Sequence, residues 1–292
     1  MFKKVNFIDE SLRHCGNFTY GSTVQVGGVS PPLTHREPKD IIYVRDQLKW
    51  DGVTVFTDDT LDKVQSIESK YNVAWIIEPR HYRNDVYKKV ENLINYFDLI
   101  LTYDQNLIKN NKNCRFIPSD TVVIENESIK LHQKKKLVSF SLSDKNFLEG
   151  HKFRMQLLKN LKKINYKIDY YGSGPNNFVN LRSDTIKDYY FSIAIENGIL
   201  ENYFTDRILD CFAVGTIPIY RGAKNISNYF DDDGIITFTE QDELISILDN
   251  LSVDLYNKKF KSVEKNFTLS KNYLYLDDKL LEEINNFFCY GK

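Results

Sequence analysis

Tyr190-Phe191-Ser192-Ile193-Ala194-Ile195-Glu196-Asn197 is a run of buried-type strand residues that stops abruptly at two polar side chains. A short apolar run bounded in this way suits a strand covered on both faces, as in a parallel sheet. In an open parallel α/β sheet, ligands gather outside the carboxyl ends of the strands, so Glu196 and Asn197 fall where binding side chains are expected. Downstream, Tyr203-Phe204 leads to Thr205-Asp206-Arg207, with Thr205 as N-cap of a helix carrying Ile208, Leu209, Cys211 and Phe212. A helix start offers unpaired N–H groups and the positive end of its dipole to an anion, and Arg207 can fork two hydrogen bonds to phosphate oxygens. Asp206 would instead accept from ribose or sugar hydroxyls. The same residues also suit an ordinary capped helix with a solvated first turn, and the local pattern leaves both readings open.

Strand and helix alternate on either side of this stretch. Towards the C-terminus, Ile217–Tyr220 reads as a strand. Its Pro218 cannot donate a ladder hydrogen bond, which places the strand at an edge or Pro218 at the point where the strand enters the sheet. Residues 240–290 read as helices, the last with an apolar stripe of Leu280, Leu281, Ile284 and Phe287 or Phe288. Towards the N-terminus come the strand Ile168–Tyr171, a helix face of Phe153, Leu157, Leu158 and Leu161, and the strand Leu137–Phe140. Before these lie Leu99-Ile100-Leu101, a helical spacing through Val86, Val90, Leu93, Ile94 and Phe97, the run Val73–Ile77, a helical stretch from Leu61, and strands at Val53–Phe56 and Val5–Ile8. Both halves are therefore expected to be α/β and Rossmann-like. The polar stretch ending in Lys134-Lys135-Lys136 marks the expected boundary: an N-terminal domain over 1–134, a C-terminal domain over 135–275, and a final helix over 276–292 as a candidate to pack back on the first domain. Residues 15–39, rich in Gly, Pro, Thr and Ser, read as a long loop, either an acceptor-binding element or a surface excursion.

A chain of 292 residues fits two domains of roughly 100–150 residues each. With 42% hydrophobic and 27% charged residues it can build real cores. Its 39 Lys and Arg nearly cancel 40 Asp and Glu, so the basic field that nucleic-acid binding relies on is missing and nucleic acid is not an expected partner. The 19 Tyr and 19 Phe suit a carbohydrate site but reflect composition at least as well. Cys15, Cys114, Cys211 and Cys289 are far apart, which indicates neither a zinc site nor a disulfide framework. With no signal-peptide pattern and no long apolar run, a cytoplasmic location without a transmembrane segment is expected.

Phe191–Asn197, Tyr203–Arg207, and Gly215-Thr216-Ile217-Pro218-Ile219-Tyr220-Arg221-Gly222-Ala223-Lys224-Asn225-Ile226, continuing through Tyr229-Phe230 and Gly234-Ile235-Ile236, resemble the donor-domain signature of family 10 glycosyltransferases, the α-1,3/1,4-fucosyltransferases. The resemblance implies a GT-B fold, two Rossmann-like domains facing a central cleft, with GDP-fucose as donor, a glycan hydroxyl as acceptor and no obligatory metal. The family's Thr-Glu-Lys is replaced here by Thr205-Asp206-Arg207, which changes reach and fork geometry where donor contacts fall. Arg154, at a helix start after Gly150-His151, resembles the arginine that binds the donor pyrophosphate. Tyr171-Gly172 follows a strand, and a glycine there permits close approach of a nucleotide. Glu78, directly after Val73–Ile77, resembles the family's base glutamate and would take the acceptor proton in an inverting transfer. The implied donor site thus comprises Arg154, Tyr171, Gly172, Glu196, Asn197, Tyr203, Thr205, Asp206 and Arg207.

Asp58-Asp59 and Asp231-Asp232-Asp233 read as turns rather than metal sites. Two rival functions stay in view: a transferase on the same scaffold using a UDP-pentose or another deoxysugar donor, and a non-catalytic glycan- or nucleotide-binding module. A nicotinamide-dependent dehydrogenase is disfavoured because neither half carries the glycine fingerprint with its downstream acid.

Overall fold

The computed structural model describes residues 1–9, 36 and 38–291. The described residues form two compact units. Unit 1 takes the chain up to Thr121 and again from Tyr275 onward, and unit 2 takes Val122–Leu274.

Unit 1 contains β1 (Lys4–Ile8), β2 (Ile42–Arg45), β3 (Lys49–Thr57), β4 (Glu68–Trp75), α1 (Asn84–Asn92), β5 (Leu99–Thr102), α2 (Gln105–Asn110) and β6 (Cys114–Phe116). The strands pair in parallel in the order β2-β1-β3-β4-β5-β6. The apolar runs are unbroken because both faces are covered. Val53, Val55, Val73, Trp75, Leu99 and Leu101 fall on one face, and Phe56, Ala74 and Ile100 on the other, against Val86 and Val90 of α1. The stretch expected as a helix from Leu61 is a 3-10 helix, Asp58–Gln65.

Unit 2 contains β7 (Lys136–Ser141), α3 (Glu149–Lys163), β8 (Asp169–Tyr171), β9 (Tyr189–Ile195), α4 (Asp206–Ala213), β10 (Ile217–Arg221), β11 (Ile236–Thr237), α5 (Gln241–Asp249), α6 (Val253–Lys258) and α7 (Phe260–Ser270). These strands are also all parallel, in the order β11-β10-β9-β7-β8. Phe140, Phe191, Ile193, Ile217 and Ile219 pack with Leu157 and Leu161 of α3 and Leu244 and Leu248 of α5. Pro218 sits in an interior strand, but β11 reaches β10 only at Ile219 and Tyr220, so no N–H is required on that side at Pro218.

The C-terminal helix α8 (Leu276–Tyr290) belongs to unit 1. Its Leu276, Leu280, Leu281 and Ile284 lie with Val5, Val55, Trp75 and Leu101 in one core, each such side chain contributing roughly 1.5–3 kcal/mol by burial. Asn285 ties the helix to the chain's start: its Oδ1 accepts from the Phe2 N–H at 2.6 Å and its Nδ2 donates to the Phe2 carbonyl at 3.1 Å.

The units part at Thr121/Val122, upstream of the boundary expected at Lys134. The intervening segment is held inside unit 2. The Val123 N–H donates to Asp210 Oδ1 at 2.8 Å, and the buried Lys134 ammonium donates to the carbonyls of Lys187 (3.0 Å) and Val214 (2.7 Å) and to Thr216 Oγ1 (2.8 Å). Burial pushes the Lys134 pKa down to about 7. A lysine run that looks like a linker therefore contains one residue that is a core polar anchor. The loop expected over 15–39 falls, apart from 36, 38 and 39, outside the described residues.

Candidate active site

In unit 2 the carboxyl ends of β9 and β10 meet the first turns of α3 and α4. Gly150 lets α3 approach: a Cβ there would stand 2.0 Å from the Glu196 carbonyl oxygen and 2.7 Å from the Asn197 Cα. This contact places Arg154, one turn further along α3, against the end of β9. Its Nη1 donates to the Ile195 carbonyl at 2.6 Å and its Nη2 to Asn197 Oδ1 at 2.9 Å. Arg154 is buried, and burial works against its charge; Arg207 nearby adds to that, while Glu196 and Tyr203 offset it. A guanidinium does not give up its proton in a protein, so this buried cation calls for an anion.

Glu196 supplies part of it. Its carboxylate is fully buried and accepts from the Thr205 N–H (2.9 Å), the Thr205 hydroxyl (2.8 Å) and Arg207 Nη1 (3.3 Å). The Thr205 hydroxyl in turn accepts from Arg207 Nη1 at 2.9 Å. Glu196 thus organises the start of α4. The buried Arg154 and the partly exposed Arg207 flank this carboxylate, and Arg207 also lies 3.9 Å from Asp206 at the start of α4, a helix end whose first N–H groups favour an anion.

Sequence reasoning assigned no role to Arg182, although it bonds two acids of α4. Its Nη2 donates to Asp206 Oδ2, and its Nε donates to Asp210 Oδ2 at 2.7 Å. Asp206 therefore faces a protein cation. Arg221, at the end of β10, also had no assigned role. It donates to Glu149 Oε1 at 2.8 Å and to the Thr239 carbonyl at 2.9 Å, and stacks 4.0 Å over the Phe153 ring. Neither long-range pairing leaves a local pattern in the sequence.

Tyr203 is buried beside this cluster and couples electrostatically to Arg154. Tyr171 and Gly172 are placed differently. The Tyr171 hydroxyl lies 2.6 Å from that of Tyr189, within a group that includes Asp169 and Lys136. Gly172 has φ 98°, and a Cβ there would stand 2.3 Å from the Leu142 carbonyl oxygen, so the close approach it permits is to the chain leaving β7.

In unit 1, Glu78 is half-buried beyond the end of β4. The sheet ladder ends with the Ile76 N–H, which donates to the Leu101 carbonyl at 2.9 Å. The next two N–H groups are taken by one side chain: Asp58 Oδ1 accepts from Ile77 at 2.9 Å and Oδ2 from Glu78 at 3.0 Å. The Glu78 carbonyl accepts from the buried Tyr87 hydroxyl at 2.9 Å, and Arg80 stacks 4.2 Å over the Tyr87 ring. Burial raises the Asp58 pKa to about 7, with Glu78 adding to the rise. Asp58 was read from sequence as a turn residue; it is instead a buried acceptor, because it opens the 3-10 helix where β3 ends beside β4. Asp231 does make a turn, accepting from the Asp233 N–H at 3.1 Å. Among the described residues, no three His, Cys, Asp or Glu side chains come together as a metal site, and no helix is long and apolar enough to cross a membrane.

The profile described as glycosyltransferase family 10 (fucosyltransferase), C-terminal region, matches residues 131–280. A fucosyltransferase-like protein of Arabidopsis thaliana is 35% identical over 79 residues, 26% of this chain and 15% of its own length. The 4-galactosyl-N-acetylglucosaminide 3-alpha-L-fucosyltransferase 9 of Mus musculus is 29% identical over 147 residues, 47% of this chain and 39% of its own. The chain thus matches less than half the length of either curated relative. A crystal structure of an α1,3-fucosyltransferase with GDP superposes with a TM-score of 0.58 at 14% identity, covering 97% of this chain and 89% of that one, a likeness that bears on the fold: two parallel α/β units of the GT-B class. With Arg154 and Arg207 inside the matched region, and the match spanning more than half of its 292 residues, this chain belongs to glycosyltransferase family 10, the fucosyltransferase family.

Proposed function

We propose that the protein transfers L-fucose from GDP-fucose to a hydroxyl of a glycan, with inversion at the anomeric carbon. The observation that carries this reading is the Arg154–Arg207–Glu196 cluster at the start of α4, with Arg154 and Glu196 buried and Arg207 partly exposed, within the family-matched region. In the reaction the acceptor oxygen attacks the anomeric carbon as the bond from that carbon to the diphosphate oxygen breaks. Glu78 takes the acceptor's proton, and GDP departs with the bonding pair. Arg154, Arg207 and the α4 N–H groups meet the charge that develops on the leaving oxygens, where preorganised donors act without reorganising. Asn197, Tyr203 and Thr205 complete the donor site, while Tyr171 and Gly172, held by Tyr189 and by the chain leaving β7, are not assigned to it. Basic side chains supply the stabilisation, so no metal is assigned a step.

One observation favours a second donor on the same scaffold. Asp206 is engaged by Arg182, and Arg207 stands where the family carries lysine, so the contacts that recognise the donor differ from the family pattern. Turnover decides between them. GDP-fucose and UDP-sugars are each offered with N-acetyllactosamine, the acceptor type named for the mouse relative, and the product is read by proton NMR. An α-linked fucoside from GDP-fucose supports the assignment. Product from a UDP-sugar alone replaces the donor, and a retained anomeric configuration removes the single-displacement mechanism.

A further inference from the structure

Asp58 is 6% exposed, and a carboxylate is costly to bury. Capping a strand end does not by itself require one, since chains ordinarily leave such N–H groups to water or a loop carbonyl. Here both oxygens are used, one on each of two successive N–H groups, a bidentate hold that an amide side chain cannot reproduce because it offers a single acceptor oxygen. The carboxylate is itself rigidly placed. It opens a 3-10 helix whose Thr60 hydroxyl bonds to the Ile8 carbonyl at the end of β1 and accepts from the Thr57 N–H at 3.1 Å. On the far side of the same residue, Tyr87 fixes the Glu78 carbonyl. Glu78 is thus clamped through both of its peptide groups, which sets the direction of its Cα–Cβ bond.

We propose that Asp58 is the positioning residue of the Glu78 base, holding the Glu78 backbone so that its carboxylate is preorganised for proton transfer, with Tyr87 as the second jaw of the clamp. This rests on the reading of Glu78 as the base. It differs from a plain structural cap in its consequence: a small displacement of a catalytic group lowers the rate of the chemical step while leaving donor binding in unit 2 untouched.

The test measures GDP release from GDP-fucose with N-acetyllactosamine as acceptor. Asp58→Asn is expected to lower kcat on the order of 10- to 100-fold with the KM for GDP-fucose and the GDP-induced melting shift unchanged. Tyr87→Phe, which removes one hydroxyl and keeps the ring, is expected to lower kcat several-fold and supports the same conclusion should Asp58→Asn not fold. In a Glu78→Gln background, Asp58→Asn is expected to add no further loss, because its effect runs through Glu78. If Glu78→Gln keeps wild-type kcat, or the wild type turns over neither GDP-fucose nor a UDP-sugar, the base assignment fails and the inference with it. If Glu78→Gln is inactive while Asp58→Asn and Tyr87→Phe keep wild-type kcat, or if the Asp58→Asn loss persists in full in the Glu78→Gln background, the positioning role alone is overturned.

Discussion

The two strand ends that carry the candidate chemistry are built around different buried groups. At the end of β9 in unit 2, the buried Arg154 guanidinium and the partly exposed Arg207 flank the buried Glu196 carboxylate, and that carboxylate and the Thr205 hydroxyl organise the start of α4. At the end of β4 in unit 1, the deeply buried ionisable group is a carboxylate, Asp58, and a second acid, Glu78, stands half-buried beside it. On the proposed function, the same architectural position, the loop after a central parallel strand, serves an anion in one unit and a proton in the other. The difference teaches that the fold supplies the address, while the side chains buried at it supply the chemistry.

The sharpest way to break this comparison is to neutralise one end and look for an effect at the other. Glu78→Gln is expected to lower kcat by about 10²–10⁴ while leaving the GDP-induced melting shift at wild-type size. A loss of GDP binding in this variant would show that the two ends are not separable. Arg154→Met is expected to reduce kcat/KM for the donor on the order of 10²–10³ and to abolish the GDP shift. Arg154→Lys should restore little of it, since one ammonium cannot make both the Ile195 and the Asn197 bonds in their present geometry.

Smaller effects sharpen the account of how each end is supported. Gly150→Ala puts a methyl against the Glu196 carbonyl and should destabilise the protein by about 1–3 kcal/mol in urea unfolding, with donor affinity falling as α3 is pushed outwards. The smallest expected effect lies at the start of α8. Burial raises the Asp277 pKa from 3.8 to about 8, with neighbouring Asp278 adding to the rise. The folded chain therefore keeps this proton over a range in which the unfolded chain has lost it. The resulting stabilisation is complete below about pH 4 and disappears as pH rises through about 8. Asp277→Asn does not titrate, so its melting temperature relative to wild type should rise between about pH 5 and pH 8. A pH-independent difference would place Asp277 in a less buried setting.

What could be read beforehand follows the range of the interactions. β9 was legible because its apolar run ends in Glu196-Asn197, and the Thr205 N-cap because capping is a local pattern. The fold class was legible from the alternation of apolar runs and helical spacings. Arg154 and Glu78 carried weight through resemblance, since a lone arginine or a strand-end glutamate has no distinguishing spacing. Side chains whose partners lie far along the chain were not legible: Arg182 with Asp206 and Asp210, Arg221 with Glu149, and Lys134 with the Val214 carbonyl and Thr216. Asp58 was misread for a related reason. Two acids after a strand resemble a turn, and only the neighbouring strand shows which N–H groups they cap. The short edge strands β2, β6 and β11 escaped because four, three and two residues express no period and none is an unbroken buried apolar run like the equally short β5.

The central claim, that unit 2 holds a guanosine diphosphate against Arg154 and Arg207, is tested most directly by melting the wild-type protein with GDP, UDP, dTDP and CMP. At about 100 times its Kd, GDP should stabilise the native state by roughly 2.7 kcal/mol, and the other nucleotides should do far less. Equal stabilisation by UDP, or none by any nucleotide, would contradict the claim.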